Sequence, residues 1–201
     1  MSKPSEDTIP PAGHLAVPPG HVPIPVRTSY LEMCANAVPD PPAVPAGFAV
    51  RRWRRPPPDE YLSLFSAVGG EWGWSGRLLL GDDELRALLN DPAIEIIRLR
   101  CGSRIAGFVE LDRRLPGQVE IVYFGLVAEF IGRGLGAFLL RWATNRAWQG
   151  STERVWLHTC DYDHPNALAV YQKAGFRIYD ERMGMESYPE DFVARLGPTR
   201  D

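Results

Sequence analysis

Three apolar-rich runs follow one another in the middle of the chain: EIIRLRC (95–101), RIAGFVELD (104–112) and QVEIVYFGLV (118–127). Only short turns containing Gly102-Ser103 and Pro116-Gly117 separate them. Connections this short predict three antiparallel strands. Upstream, FAVRRW (48–53) predicts a strand, and a run of prolines leads into an amphipathic helix over Asp59 to Val68. The stretch DDELRALLND (82–91) starts with acidic residues suited to a helix N-terminus and stops before Pro92, which predicts a second helix. Downstream, Leu135, Phe138, Leu139, Trp142 and Ala143 recur at helical spacing within 134–148, and RVWLHTC (154–160) predicts a strand. A final helix over Asn166 to Lys173 is ended by Gly175, and FRIYDERMGMESY (176–188) holds a last strand or two.

Composition sets the boundaries of this pattern. Residues 1–47 contain eleven of the nineteen prolines, so 1–46 is expected to be an extended N-terminal extension. Within it, VRTSYLEM (26–33) partly alternates and predicts an added edge strand. The folded domain is expected over 47–192, with a C-terminal tail at 193–201. A net charge of -3 argues against a duplex nucleic-acid partner, which needs clustered Lys and Arg. The start, MSKPSEDTIPPAGH, lacks a signal-peptide apolar core, and no apolar run approaches the ~18 residues of a membrane span. A cytoplasmic protein with no membrane partner is the expectation, and three scattered cysteines agree with a reducing compartment.

The chemistry concentrates at Gly132-Arg133-Gly134-Leu135-Gly136, where a strand runs into a helix. Such a turn lets backbone approach a ligand, and the free amides and macrodipole of the helix start attract phosphate. Arg133 adds a charge that can contact it directly. Glycines that only permit a tight turn are the plain alternative. A dinucleotide site is a second one, because Gly132, Gly134 and Ala137 fit G-x-G-x-x-G/A. That site needs a parallel βαβ sheet, whereas hairpin-linked strands precede this turn and about 65 residues follow it.

Over most of residues 48–188 the chain resembles the GNAT superfamily of N-acetyltransferases. VEIVYFGLVAEFIGRGLGAFLL resembles the family's fourth strand, pyrophosphate loop and third helix, with Gly134 and Gly136 at the two glycine positions of [Q/R]-x-x-G-x-[G/A]. Ile131 stands where the family carries Gln or Arg, which leaves the cradle to backbone amides. Some thirty residues later, NALAVYQKAGF matches the family's second block through Asn166, Ala169, Tyr171, Gly175 and Phe176. The resemblance implies an α+β, three-layer fold: a mixed, mainly antiparallel sheet flanked by helices, with its fourth and fifth strands splayed. It also implies an acetyl-CoA-dependent N-acetyltransferase acting on an amine of a small molecule or protein by direct transfer in a ternary complex. A homodimer is allowed. A non-catalytic acyl-CoA sensor on the same fold is the alternative.

By the same resemblance, Glu120 is the general base and Tyr171 the general acid. Phe124, Gly125 and Leu126 hold the acyl carbonyl and pantetheine arm, Ile131 to Ala137 the pyrophosphate, and Asn166 the cofactor arm, a residue equally suited to a plain N-cap. Trp72 and Trp74 lie where the acceptor wall forms and can hold a cationic amine. Glu110, Asp112, Asp161 and Asp163 would give that side an acidic mouth. HTCDYDH places His158 and Cys160 on one strand face with His164 near; a structural zinc site would need a further ligand pair, so no metal is expected and these residues line the acyl-donor cleft instead.

Overall fold

A computed structural model describes residues 17–34 and 41–196. One seven-stranded sheet, ordered β2-β3-β4-β5-β6-β1-β7, forms the middle layer. Its strands are β1 (His21–Met33), β2 (Phe48–Arg52), β3 (Ile94–Cys101), β4 (Arg104–Asp112), β5 (Gln118–Leu126), β6 (Arg154–Cys160) and β7 (Arg177–Pro189). Helices α1 (Pro58–Gly69) and α2 (Asp82–Asn90) cover one face, and α3 (Leu135–Ala147) and α4 (Ala167–Lys173) cover the other. The two-residue period of the strands serves both layers. Ile96 and Phe108 pack with Tyr61, Phe65 and Leu85, whereas Ile97, Leu99 and Val109 pack with Leu139 and Leu140. The strands from β2 to β5 pair antiparallel, as the short turns require for β3 to β5, and only β5 and β6 are parallel.

The segment expected as an edge strand is internal. Thr28 to Glu32 pair with β6 on one side and β7 on the other, and Val26, Leu31 and Met33 are buried. The half with a single ladder is 21–27, paired only with β7, and Pro23 and Pro25 lie there. A proline ring removes the N–H that a second neighbour would need, so these prolines fit only the one-sided half. Of the extension, residues 1–16 and 35–40 lie outside the described residues. At the other end, the expected tail from 193 begins inside a helix, α5 (Glu190–Leu196), whose Phe192 is buried against Tyr188 and Val26. The last segment of the sheet is one strand of 13 residues.

Glu95 of β3 ties the sheet to the end of α3. Its carboxylate accepts from Arg113 Nε at 2.8 Å and Arg146 Nε at 2.9 Å, and Arg113 also donates to the carbonyls of Arg146 and Ala147. Burial disfavours the charge on Glu95, but the hydrogen bonds and charges of Arg146 and Arg113 outweigh it and hold the carboxyl below its ordinary range. Stability from this group is therefore present above the unfolded carboxylate pKa and is lost as pH falls through the lower folded value. Glu95→Gln is expected to destabilise the fold by about 3 kcal/mol near neutral pH, because two half-buried guanidinium groups lose their counter-charge. Urea titrations at neutral and acid pH check this: the gap between variant and parent should shrink on acidification.

Candidate active site

The parallel ladder between β5 and β6 ends early. It joins Gln118, Val119 and Glu120 to Arg154, Val155 and Trp156, after which the strands part. In the β4 ladder, Leu111 faces Ile121 and Glu110 faces Tyr123, which makes Val122 a bulge at the start of this parting. Bulges bend a strand and re-aim its side chains. The gap so formed is one wall of a cavity of about 910 Å³.

The glycine turn closes one end of the cavity. Gly132 and Gly134 sit at φ 81° and 74°, left-handed conformations that strain any residue with a Cβ. Gly134 is the N-cap of α3 and gives it no side-chain cap, so the first-turn amides are available to an anion. Gly136 is different: its conformation is helical, and a Cβ there would meet only Leu126 Cδ1, at an ordinary 3.8 Å. Among the described residues nothing demands glycine at 136.

Ile131, Gly132, Gly134, Gly136 and Ala137 line the cavity. Two neighbours expected to bind are not on its lining. The Leu135 side chain is buried in the core, leaving only its amide, and the Arg133 guanidinium lies 5.5 Å from the centre of the Phe130 ring.

Phe124, Gly125, Leu126, Asn166 and Tyr171 line the next stretch of wall. Asn166 is at the N-cap of α4 but makes no side-chain cap bond, so its amide is not spent on the helix. Tyr171 is 8 % exposed and packs edge-on against Phe124 and Phe176. Burial, with a smaller contribution from Asp163, pushes its phenol well above the ordinary tyrosine value. It therefore stays protonated throughout the neutral range.

The opposite end is aromatic. Trp72 and Trp74 both lie on the cavity wall. Trp74 packs on Phe65 and Tyr123 and donates from Nε1 to Asp163 Oδ1 at 3.2 Å; Trp72 meets the His164 ring edge-on at 5.1 Å. The loop carrying them is pinned from β4, where the fully buried Glu110 accepts from Arg77 Nη2 and Tyr61 Oη, each at 2.5 Å. Glu110 is thus an internal anchor and no part of an acidic mouth. Asp112 pairs with Arg114, and Asp161 accepts from the Arg27 amide. Of the four acids expected at the mouth, Asp163 alone lines the cavity. It accepts from Thr159 Oγ1 and the Cys160 amide as well as from Trp74.

Glu120 occupies the last position of β5 that pairs with β6, off the cavity wall, with Oε1 3.3 Å from His158 Nδ1. His158 is on the wall, with 45 % of its side chain accessible. Desolvation by the surrounding cleft walls lowers the imidazole pKa, but the hydrogen bond and charge of Glu120, with Asp163 and Glu186 behind it, outweigh that effect and raise it above the ordinary value. With Nδ1 turned to a carboxylate, Nε2 keeps the free lone pair. The sequence put His158 on a cleft-lining strand without a catalytic role; what it did not contain is the pairing with Glu120, which arises where β5 and β6 separate. Among the described residues no group of three or more His, Cys, Asp or Glu side chains is arranged to hold a metal ion.

Residues 50–176 match the acetyltransferase (GNAT) family. Mycothiol acetyltransferase from Corynebacterium efficiens is 28 % identical over 92 residues, a stretch that is 46 % of this chain and 31 % of that enzyme. Among solved structures, a GCN5-related N-acetyltransferase from Sphaerobacter thermophilus superposes with a TM-score of 0.59 at 18 % identity, covering 84 % of this chain and 53 % of that one. A tandem GNAT protein from the clavulanic acid biosynthesis pathway superposes with a TM-score of 0.57 at 18 % identity, covering 87 % of this chain and 55 % of its own. The chain thus spans about a third to a little over half of the length of these relatives. With the family match covering more than half of the sequence, and with the sheet, the parted strands and the glycine turn in the matching order, the chain belongs to the GNAT acetyltransferase family.

Proposed function

We propose that this chain transfers an acetyl group from acetyl-CoA to an amine held at the aromatic end of the cleft. The observation that carries this reading is the parting of β5 and β6 directly onto an uncapped helix N-terminus, which joins a phosphate cradle and a proton-handling group in one cavity. The donor fits the residues present. Amides at the start of α3, behind Gly132 and Gly134, would hold its pyrophosphate; Phe124 to Leu126 and Asn166 would hold its arm. When bound, it supplies an activated thioester acyl group.

The chain's own residues then do three things. Trp72 and Trp74 orient the amine and exclude water from it. His158 Nε2 accepts the amine proton, and Glu120 fixes the imidazole tautomer and stabilises the charge that the ring acquires. The Tyr171 hydroxyl, kept protonated by burial, gives a proton to the departing sulfur. Glu120 thereby serves as a positioning residue for His158. A base with its pKa raised above the usual imidazole value, on a wall the acceptor touches, suits this task better than a carboxylate set behind that wall.

The test is release of free thiol from acetyl-CoA across a library of amines. Amine-dependent release is expected, and Tyr171→Phe should lower kcat by about 100-fold with little change in acetyl-CoA affinity. Tight donor binding without amine-dependent release would instead identify a sensor.

A further inference from the structure

The walls of the cleft differ in charge. The donor end, from Phe124 through the glycine turn to Tyr171, contributes no carboxylate to the lining. The acceptor end contributes two, Asp163 and Glu186, and among the described residues no Lys or Arg lines any part of the cavity. Neither carboxylate takes part in an ion pair among the described residues. Their situations are unlike. Asp163 has both oxygens committed to donors of the protein, Trp74, Thr159 and the Cys160 amide. Glu186, on β7, also accepts at each oxygen, from Thr28 Oγ1 at 3.2 Å and from the Tyr188 hydroxyl at a long 3.5 Å, but its residue is exposed.

A cleft carboxylate with no cationic partner gains a charge-assisted hydrogen bond when a ligand cation reaches it. The neighbouring wall suits a cation too, because Trp72, Trp74, Tyr123 and Tyr188 line the same cavity and their ring faces are electron-rich. The reacting amine must be neutral at His158, so it cannot also neutralise Glu186. We propose that Glu186 anchors a second ammonium group of the acceptor, which makes the substrate class an aliphatic diamine or polyamine. One amine loses its proton beside His158 while the other stays charged against Glu186 and the aromatic wall. Amino acids, which bring a carboxylate to this end, are disfavoured by like charge, and monoamines leave Glu186 unpaired. This rests on the acyl-transfer reading of the cleft given above.

The experiment compares kcat/KM for diaminobutane, n-butylamine and ω-aminobutanoate in the parent chain, Glu186→Gln and Glu186→Asp. Diaminobutane is expected to exceed n-butylamine by roughly 10- to 100-fold, the worth of one hydrogen bond to a charged group. In E186Q the ratio of diamine to monoamine should collapse toward one, chiefly through KM, and E186D should restore part of it. Equal kcat/KM for diamine and monoamine in the parent, or an E186Q loss shared equally by both, would overturn the inference while leaving acyl transfer standing. Should no amine release thiol, the transfer reading fails and calorimetric titration with diaminobutane decides this one. Binding that disappears in E186Q supports the anchor, and absence of binding in the parent overturns it.

Discussion

Replacing His158 by glutamine is expected to lower kcat by about 100- to 10,000-fold, with acetyl-CoA affinity little altered. Glutamine is near the volume of imidazole and can still hydrogen-bond to Glu120, but it has no lone pair basic enough to take the amine proton. The companion change, Glu120→Gln, has its own signature. Glu120 is the main positive influence on the His158 pKa, through its hydrogen bond and its charge. In the parent, activity should rise with pH as the imidazole loses its proton, with the limb above the ordinary value of about 6.5. Without the carboxylate, burial acts with less opposition, so the limb should move to lower pH and the maximal rate should fall as ring orientation is lost. A Glu120 that is itself the base would behave otherwise: E120Q would abolish the limb, and H158Q would retain most of kcat. The pH–rate profiles of both variants separate these mechanisms.

Gly136→Asp is expected to separate binding from stability by moving them in opposite directions. The position is in the first turn of α3, its backbone is helical, and a Cβ would meet no closer atom than Leu126 Cδ1 at 3.8 Å. An acidic residue there complements the helix dipole, and replacing glycine raises helix propensity, so the fold should gain up to about 1 kcal/mol. The same carboxylate, however, enters the cradle meant for phosphate. At a separation of about 6 Å and an effective dielectric of about 20, one like-charge pair is worth about 2.7 kcal/mol, or roughly 100-fold in affinity. Calorimetric titration with CoA together with thermal melts checks both halves. Undiminished CoA affinity in a well-folded G136D would mean that the ligand phosphates do not lie against this turn.

Much of the fold was legible in the sequence because its elements rest on local signals. The turns at Gly102 and Pro116, the acidic start of α2 and the Gly175 stop all act within a few residues, and each element they delimit is present. Where β1 sits was not legible. Its alternation states that a strand forms, but a neighbour is chosen by long-range pairing, and only the prolines at 23 and 25 carried a hint, by marking which half could have one neighbour. The tail boundary was missed for the same reason: α5 holds on through Phe192 packing on Tyr188.

The site divides along the same line. Gly132 and Gly134 were readable, because positive φ admits few other residues. The pairing of Glu120 with His158 was not, because it depends on the point at which two strands, more than thirty residues apart in sequence, cease to pair. Glu110 illustrates the opposite error. A strand glutamate looks solvated from composition alone, yet this one is buried under Arg77 and Tyr61 and holds the tryptophan loop in place.

The central claim is that this cleft moves an acetyl group onto an amine. Its most direct measurement is a single turnover with labelled acetyl-CoA bound to excess protein and then mixed with an amine acceptor. The account predicts free thiol and N-acetylated amine appearing together in a one-to-one ratio at a rate that His158→Gln lowers by at least about 100-fold. Acetyl-CoA that stays intact on the protein in the presence of every acceptor, with the fold and donor binding unimpaired, would contradict it.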